Sequence, residues 1–354
     1  MKTKLISGIS VVFVMALFWA CSKNELTNSN ETKLTDLAQT SGQLASGTSF
    51  TIIGSSSSTA NGLVGSGSHG GGRKGGRGGA RILEGTNFIT ADDALLAIVD
   101  AESAGDFRGL RMHEQGGATI THYDAAGDTV TLPEPDPASK PEGCSFSGKQ
   151  FPKNDSLLSK IAKTVIDFAS GVTIKRGDNT ITRSGKIIIN RTGDSSSKTE
   201  IVTYENYKVN GIQIDGTKTR VSTLSGGVGS SSTNVTNGTI TFADGSVAVW
   251  ESSKKRVSNI TVDANGKPVS GKITTEGASS VKLSDGSILF SNTITSPVTE
   301  DISCGRKRHS PVSGTVTTVY KTDTVVIDFG DGSCSNTTVT VTINGVVSTK
   351  TIGR

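Results

Sequence analysis

The chain is poor in aromatic residues: 5% of 354 residues, with only 2 tryptophans and 4 tyrosines, so no large aromatic core is available. Hydrophobic residues reach only 33%, and the 43 glycines add apolar count without side chains. Thin layers and many turns are expected. Charge of one sign is also scarce. A net +4 on this length does not by itself imply a nucleic-acid partner. The four histidines, His69, His113, His122 and His309, are scattered, and none has metal-ligand spacing to a cysteine or another histidine. No Ser/His/Asp arrangement, Gly-x-Ser-x-Gly, phosphate loop or carboxylate pair stands out. No enzyme activity, metal or cofactor is therefore expected. Beyond residue 20 no stretch approaches about 18 consecutive apolar residues, the length of a membrane-crossing helix.

What is present begins with an address. Lys2 and Lys4 precede a nearly unbroken apolar run from Leu5 to Ala20, which is followed by Cys21. A short apolar run behind basic residues, ending at a small residue, reads as a signal peptide over 1–20. Leu17-Phe18-Trp19-Ala20-Cys21 resembles a bacterial lipobox, which implies that Cys21 becomes the first mature residue and carries lipid. Several acyl chains anchor far better than one, since each buried CH₂ adds about 0.8 kcal/mol. Ser22-Lys23-Asn24-Glu25 lacks an Asp at the second mature position. By resemblance to lipoprotein sorting and surface-export signals, this implies the outer membrane, either displayed at the cell surface or facing the periplasm.

Residues 21–85 read as a lipid-anchored flexible tether. Ser, Thr, Asn and Gln dominate the first part, and 62–81 read GLVGSGSHGGGRKGGRGGAR. Such a composition cannot offset ordering entropy by burial. The basic Arg73, Lys74, Arg77 and Arg81 suggest an RGG-type nucleic-acid segment, but no aromatic is interleaved for base stacking. A solvated linker is the reading, without a nucleic-acid partner. Residues 86–143 form a small helical and loop region. Thr90 and Asp93 have capping-box-like spacing before Ala94-Leu95-Leu96-Ala97-Ile98-Val99, predicting a helix over 91–103. Pro133, Pro135, Pro137 and Pro141 mark a boundary, and 155–162 could form a helical turn.

Over 144–354 the pattern turns to period two. Asx-Gly pairs recur at Asn210-Gly211, Asp215-Gly216, Asn237-Gly238, Asp244-Gly245, Asn265-Gly266, Asp285-Gly286, Asp331-Gly332 and Asn344-Gly345, with Thr, Val and Ile between them. These pairs suit tight hairpin turns. The expected class is mainly all-β: an antiparallel, hairpin-rich sheet or sheets, sandwich-like or elongated, with one short N-terminal helix and a disordered tether. A two-residue loop at Asp244-Gly245 sets Phe242 opposite Val247 and Ile240 opposite Val249. The same loop at Asp285-Gly286 sets Leu283 opposite Ile288 and Val281 opposite Phe290. Each hairpin then has one apolar face, so another layer must cover it or the sheet must curl. Val165 to Gly171 echoes Val326 to Gly332, which allows two related halves.

Ile166-Asp167-Phe168, Arg183 to Ile189, Tyr204 to Gly211, Pro311 to Thr315, Val326 to Cys334 and Val341 to Gly345 occur in one order. Together they resemble a group of uncharacterised Bacteroidota outer-membrane lipoproteins with β-rich C-terminal regions. The resemblance implies an all-β extracytoplasmic domain and brings no activity. Asp328-Phe329-Gly330-Asp331-Gly332-Ser333 also resembles the signature turn of polycystic-kidney-disease adhesion modules, without the strands that usually follow.

With Cys21 lipidated, three cysteines remain. Cys304 and Cys334 bracket one repeat unit, and an exported location permits a bridge between them, leaving Cys144 free. Closing that loop would stabilise by about 3–4 kcal/mol. Tyr204, Tyr207 and Trp250 are candidates for a glycan platform, against the commoner use in cross-strand packing. Ser156 and Thr129 are candidates for O-glycosylation, in Asp-Ser/Thr-aliphatic sites of the Bacteroidota type; Asp323-Thr324-Val325 is a third match. Arg176-Gly177-Asp178 spells an integrin-type tripeptide, a match too short to carry a role. Asp328 and Asp331 could offer oxygens to Ca²⁺ but fall short of six ligands and read as turn caps. The expectation is a non-catalytic lipoprotein with a structural or interaction role at the cell envelope, whose partners are the membrane through Cys21 and an envelope glycan or protein. The alternatives are a glycan-binding or adhesive module and, further off, a hydrolase.

Overall fold

The computed structural model describes residues 28–46, 92–104, 118–132, 159–176, 179–194, 196–264, 268–304 and 311–352. Cys21, Cys144, Ser156, residues 62–81, the clustered prolines, Gly177-Asp178, Asn265-Gly266, His69, His113 and His309 lie outside them. Two helices come first, α1 (Asn28–Ser46) and α2 (Asp93–Ser103). Strands follow: β1 (Thr119–Tyr123), β2 (Lys163–Asp167), β3 (Val172–Arg176), β4 (Asn179–Gly193) and β5 (Ser197–Val209). Next come β6 (Ile212–Ser225), β7 (Val228–Thr241), β8 (Val247–Val262), β9 (Pro268–Leu283) and β10 (Ile288–Asp301). The last are β11 (Ser313–Tyr320), β12 (Asp323–Asp331), β13 (Thr338–Ile343) and β14 (Val346–Thr351).

All the strands join one antiparallel sheet in sequence order from β1 to β14. β2 and β3 both pair with β4, one after the other along its length. The sheet is a single meander among the described residues, ending at β1 and β3 on one side and at β14 on the other, not a pair of stacked sheets. The Val165 and Val326 echoes are one local device used twice. In each, an Asp side chain accepts from the backbone two residues on (Ala169 N to Asp167, Gly330 N to Asp328), and Phe168 or Phe329 beside it is buried.

The turns explain where the register departs from expectation. Asn210-Gly211 and Asn344-Gly345 have positive φ at both residues, as a two-residue type I′ loop needs. At Asp244-Gly245 only the glycine is positive. There Gly245 N donates to Phe242 O and Phe242 N to Ser246 O, which makes a three-residue loop with a glycine bulge. Ile240 therefore pairs with Ala248 rather than Val249, and Thr241 with Val247. Ala248 and Trp250 turn inward, while Val247 and Val249 face solvent. The Asp285-Gly286 loop has the same hydrogen bonds, so Ile288 pairs with Lys282 and not Leu283. The expected Val281–Phe290 pair is present, restored by an irregularity between Ile288 and Phe290. Asp215-Gly216 and Asn237-Gly238 are not turns but bulges inside strands. A Cβ on Gly238 would lie 2.3 Å from the Trp250 carbonyl oxygen, so the close backbone approach requires glycine.

Bulges also interrupt β5/β6, β9/β10, β10/β11 and β11/β12, and each bends its strand. The sheet curls as a result. Lys321, in the β11–β12 turn, pairs with Asp92 at 2.7 Å, while Asn210, in the β5–β6 turn, donates to Asp93 at 2.6 Å. Six strand steps separate those turns along the sheet. A flat sheet would hold them about 29 Å apart, yet adjacent residues of one helix start reach both. α2 lies inside the curl, and all of Leu95 to Glu102 is buried, so the helix has no solvent face there.

The helix expected over 91–103 is α2. Its N-cap is Asp92, whose side chain accepts from Ala94 N and Leu95 N; Thr90 lies outside the described residues. α1 corrects the reading of 21–85 as tether throughout. This Ser/Thr/Gln-rich segment is a helix of 19 residues packed on the sheet, and Leu34, Leu37, Ala38 and Ala45 are buried together with Thr35, Asp36, Gln39, Thr40 and Ser41. Its polar residues escape the usual penalty because the sheet beneath is polar too. Asn292 Nδ2 and Ser41 Oγ both meet Thr318 Oγ1, at 2.8 and 2.6 Å. β1 likewise joins the sheet from within the region expected to be helix and loop.

Candidate functional site

The inner face of the curl changes character along the strands. Near the tight turns it is apolar, with Ile187, Ile214, Ile240, Ala248, Val281, Phe290 and Ile327 buried. On β8 the inward positions then run Ala248, Trp250, Ser252, Lys254 and Arg256, from apolar to cationic at period two. The two helices run with the strands and end over this cationic half. Ionisable side chains of α2 and of β4, β6, β8 and β10 meet beneath the helices.

Asp100 of α2 accepts from Arg183 Nη2 at 2.6 Å and Nε at 3.3 Å, and from the Tyr207 hydroxyl. Arg183 is 1% exposed and Tyr207 0%. Burial works against the Arg183 charge, but the Asp100 carboxylate beside it outweighs that and raises its pKa. Burial, and then the neighbouring Asp100 charge, push the Tyr207 phenol well above its ordinary value, so it stays a donor. Two residues on, Glu102 accepts from Trp250 Nε1 at 2.6 Å, Ser252 Oγ at 3.2 Å and Lys254 Nζ at 2.7 Å. Lys218 Nζ donates to the Glu102 and Ala104 carbonyl oxygens, closing the C-terminal end of α2. Lys254 and Arg256 do the same for α1, reaching Leu44 O at 3.4 Å and Ser46 O at 2.6 Å. Arg256 also pairs with Glu300 at 2.9 Å.

The arrangement is a clamp. The two buried carboxylates of α2, Asp100 and Glu102, are each met by a cation and by neutral donors, and both helix C-termini meet cations. Chemically it can fix the helices to the sheet; apart from Arg183 Nη1, its carboxylates and cations are spent on one another and on the helix ends.

Tyr204, Tyr207 and Trp250 do come together, with ring centroids 5.9 and 6.3 Å apart. They cannot serve as a glycan platform where they stand. Tyr207 and Trp250 are buried beneath α2, and the Tyr204 hydroxyl donates to Ala101 O. Thr129 is exposed, in a bridge to Tyr123. Thr324 is half-buried in β12. Asp328 and Asp331 cap turns through Gly330 N and Ser333 N, and no group of three metal-ligating side chains occurs among the described residues. His122 is buried, with Nδ1 3.0 Å from Thr164 Oγ1. Cys304 and Cys334 form a disulfide with Cα atoms 5.1 Å apart, tying the end of β10 to the β12–β13 loop.

Asp100 and Glu102 were not marked by sequence reasoning. The available signal was two carboxylates inside an otherwise apolar helix, matched by lone cations at inward strand positions. No family model, curated protein or solved structure matches this chain.

Proposed function

We propose that the protein is a non-catalytic outer-membrane lipoprotein, anchored through Cys21, whose β-body has a structural or interaction role at the envelope, displayed at the cell surface. The observation that carries the non-catalytic part is the clamp: the carboxylates that converge inside the fold are buried, and the cations, buried or half-buried, are engaged with them. A hydrolase would need carboxylates open to substrate, and the aromatic trio that motivated glycan binding is covered by α2. The lipid part rests on the basic residues, apolar run and Cys21 of the N-terminus. The Cys304–Cys334 disulfide suits an oxidising location outside the cytoplasm.

The test is Cys21→Ala with cell fractionation. The wild-type protein should sediment with the outer membrane and be shaved from intact cells by protease, while the variant should leave the membrane fraction. A variant that stays in the outer membrane would overturn the anchor, and a protease-resistant body on intact cells would overturn surface display.

A further inference from the structure

We infer that the β-body is held close to the membrane with its tight-turn end toward the lipid, and that the glycine-rich segment is not the tether. The inference rests on Cys21 being the lipid-bearing residue. The two ends of the sheet are distinct. One carries the Asn210-Gly211, Asp244-Gly245, Asp285-Gly286 and Asn344-Gly345 turns; the other carries Gly226-Gly227 and the disulfide. β8 alone has 16 residues, so the ends stand about 50 Å apart.

α1 fixes which end the anchor meets. Ser41 bonds Thr318 and Asn292. Asn292 lies across from Ser279, and Ser279 from Ser252. Five residues on, Ser46 O meets Arg256, further from the turns. The helix therefore runs from the turn end toward the far end. Asn28 begins it, 13 residues before Ser41, or about 20 Å back along the axis. Ser252 is five residues from Val247, about 17 Å from the turns. The start of α1 is thus level with the tight turns.

Only residues 22–27 separate Cys21 from Asn28. Seven Cα steps span at most about 25 Å when fully extended. That is half the length of the body, so a lipid at Cys21 holds the turn end close to the headgroups. Residues 62–81 lie between two helices that are both packed into the sheet. They belong to the crossing from Ser46 back to Asp92, whose partner Lys321 is at the turn end. A segment placed there adds nothing to the reach of the anchor.

The experiment uses the full-length protein purified from membranes, with Cys144→Ser and the disulfide intact. One dye is placed through Thr322→Cys at the turn end, or through Ser225→Cys at the far end. The protein is put into phosphatidylethanolamine/phosphatidylglycerol vesicles containing headgroup-labelled acceptor lipid, and energy transfer is read after intact mass has established the acyl chains. Transfer should be several-fold stronger from residue 322 than from 225. Inserting about 20 Gly/Ser residues within 22–27 should bring the two toward equality. Acylated protein with equal or reversed transfer would overturn the orientation and leave the lipoprotein reading standing. A ratio unmoved by the insertion would show that the short link does not set it. Protein without acyl chains would sink both readings.

Discussion

Asp100 is where one residue decides most. It neutralises Arg183, a guanidinium with 1% exposure, and accepts from Tyr207. Removing one partner of such a pair leaves a charge buried alone, which costs about 3–5 kcal/mol, whereas replacing both by apolar residues can be neutral. Asp100→Asn should lower unfolding stability by that amount in denaturant titration, and Asp100→Leu with Arg183→Met should recover most of it. A loss below about 1 kcal/mol for the single change would mean the clamp is not tight. His122 gives the fold a pH dependence of known sign. Burial first, and then the Arg191 charge, lower its pKa below the ordinary value, so the folded protein holds it neutral. Its contribution is present above about pH 6.5, the unfolded pKa, and is lost as pH falls below that. The denaturation midpoint should drop from pH 7 to pH 5 more steeply in the wild type than in His122→Gln, and equal slopes would contradict this. At this scale the sequence was half legible. It gathered Tyr204, Tyr207 and Trp250 correctly but could not tell that a helix lies over them.

Among the elements, the hairpins were legible and their registers only in part. Asn and Asp before glycine look alike in a pattern, but Asn takes positive φ at Asn210 and Asn344, while Asp244 does not. That difference adds a loop residue and turns Trp250 inward, toward Glu102. Gly238 holds this register, since its Cβ would strike the Trp250 carbonyl. Gly238→Ala should destabilise by about 1–3 kcal/mol and blue- or red-shift Trp250 emission as the ring moves. An unchanged spectrum with unchanged stability would contradict the close approach. α1 was illegible for a physical reason. Its composition is that of a linker, and it is held by a polar strip of the sheet, at Asn292 and Thr318 on the neighbouring strands β10 and β11, that lies some 250 residues further along the chain.

Across the whole molecule, a one-layer sheet with a single apolar face needs a cover, and the chain supplies it from its own N-terminal third. The sequence required that the apolar face be covered or the sheet curl; the fold does both, with bulges bending the sheet around two helices. Neither the bulge positions nor the helix direction could be read from period-two alternation. The consequence is that α1, which begins seven residues after Cys21, is part of the core, so the proposed lipid and the body would not be independent modules. Intact-mass analysis of the mature protein taken from membranes tests this account most directly. It should give a chain that begins at Cys21 and carries acyl mass on that residue. A chain that keeps residues 1–20, or begins elsewhere without acyl mass, would contradict it.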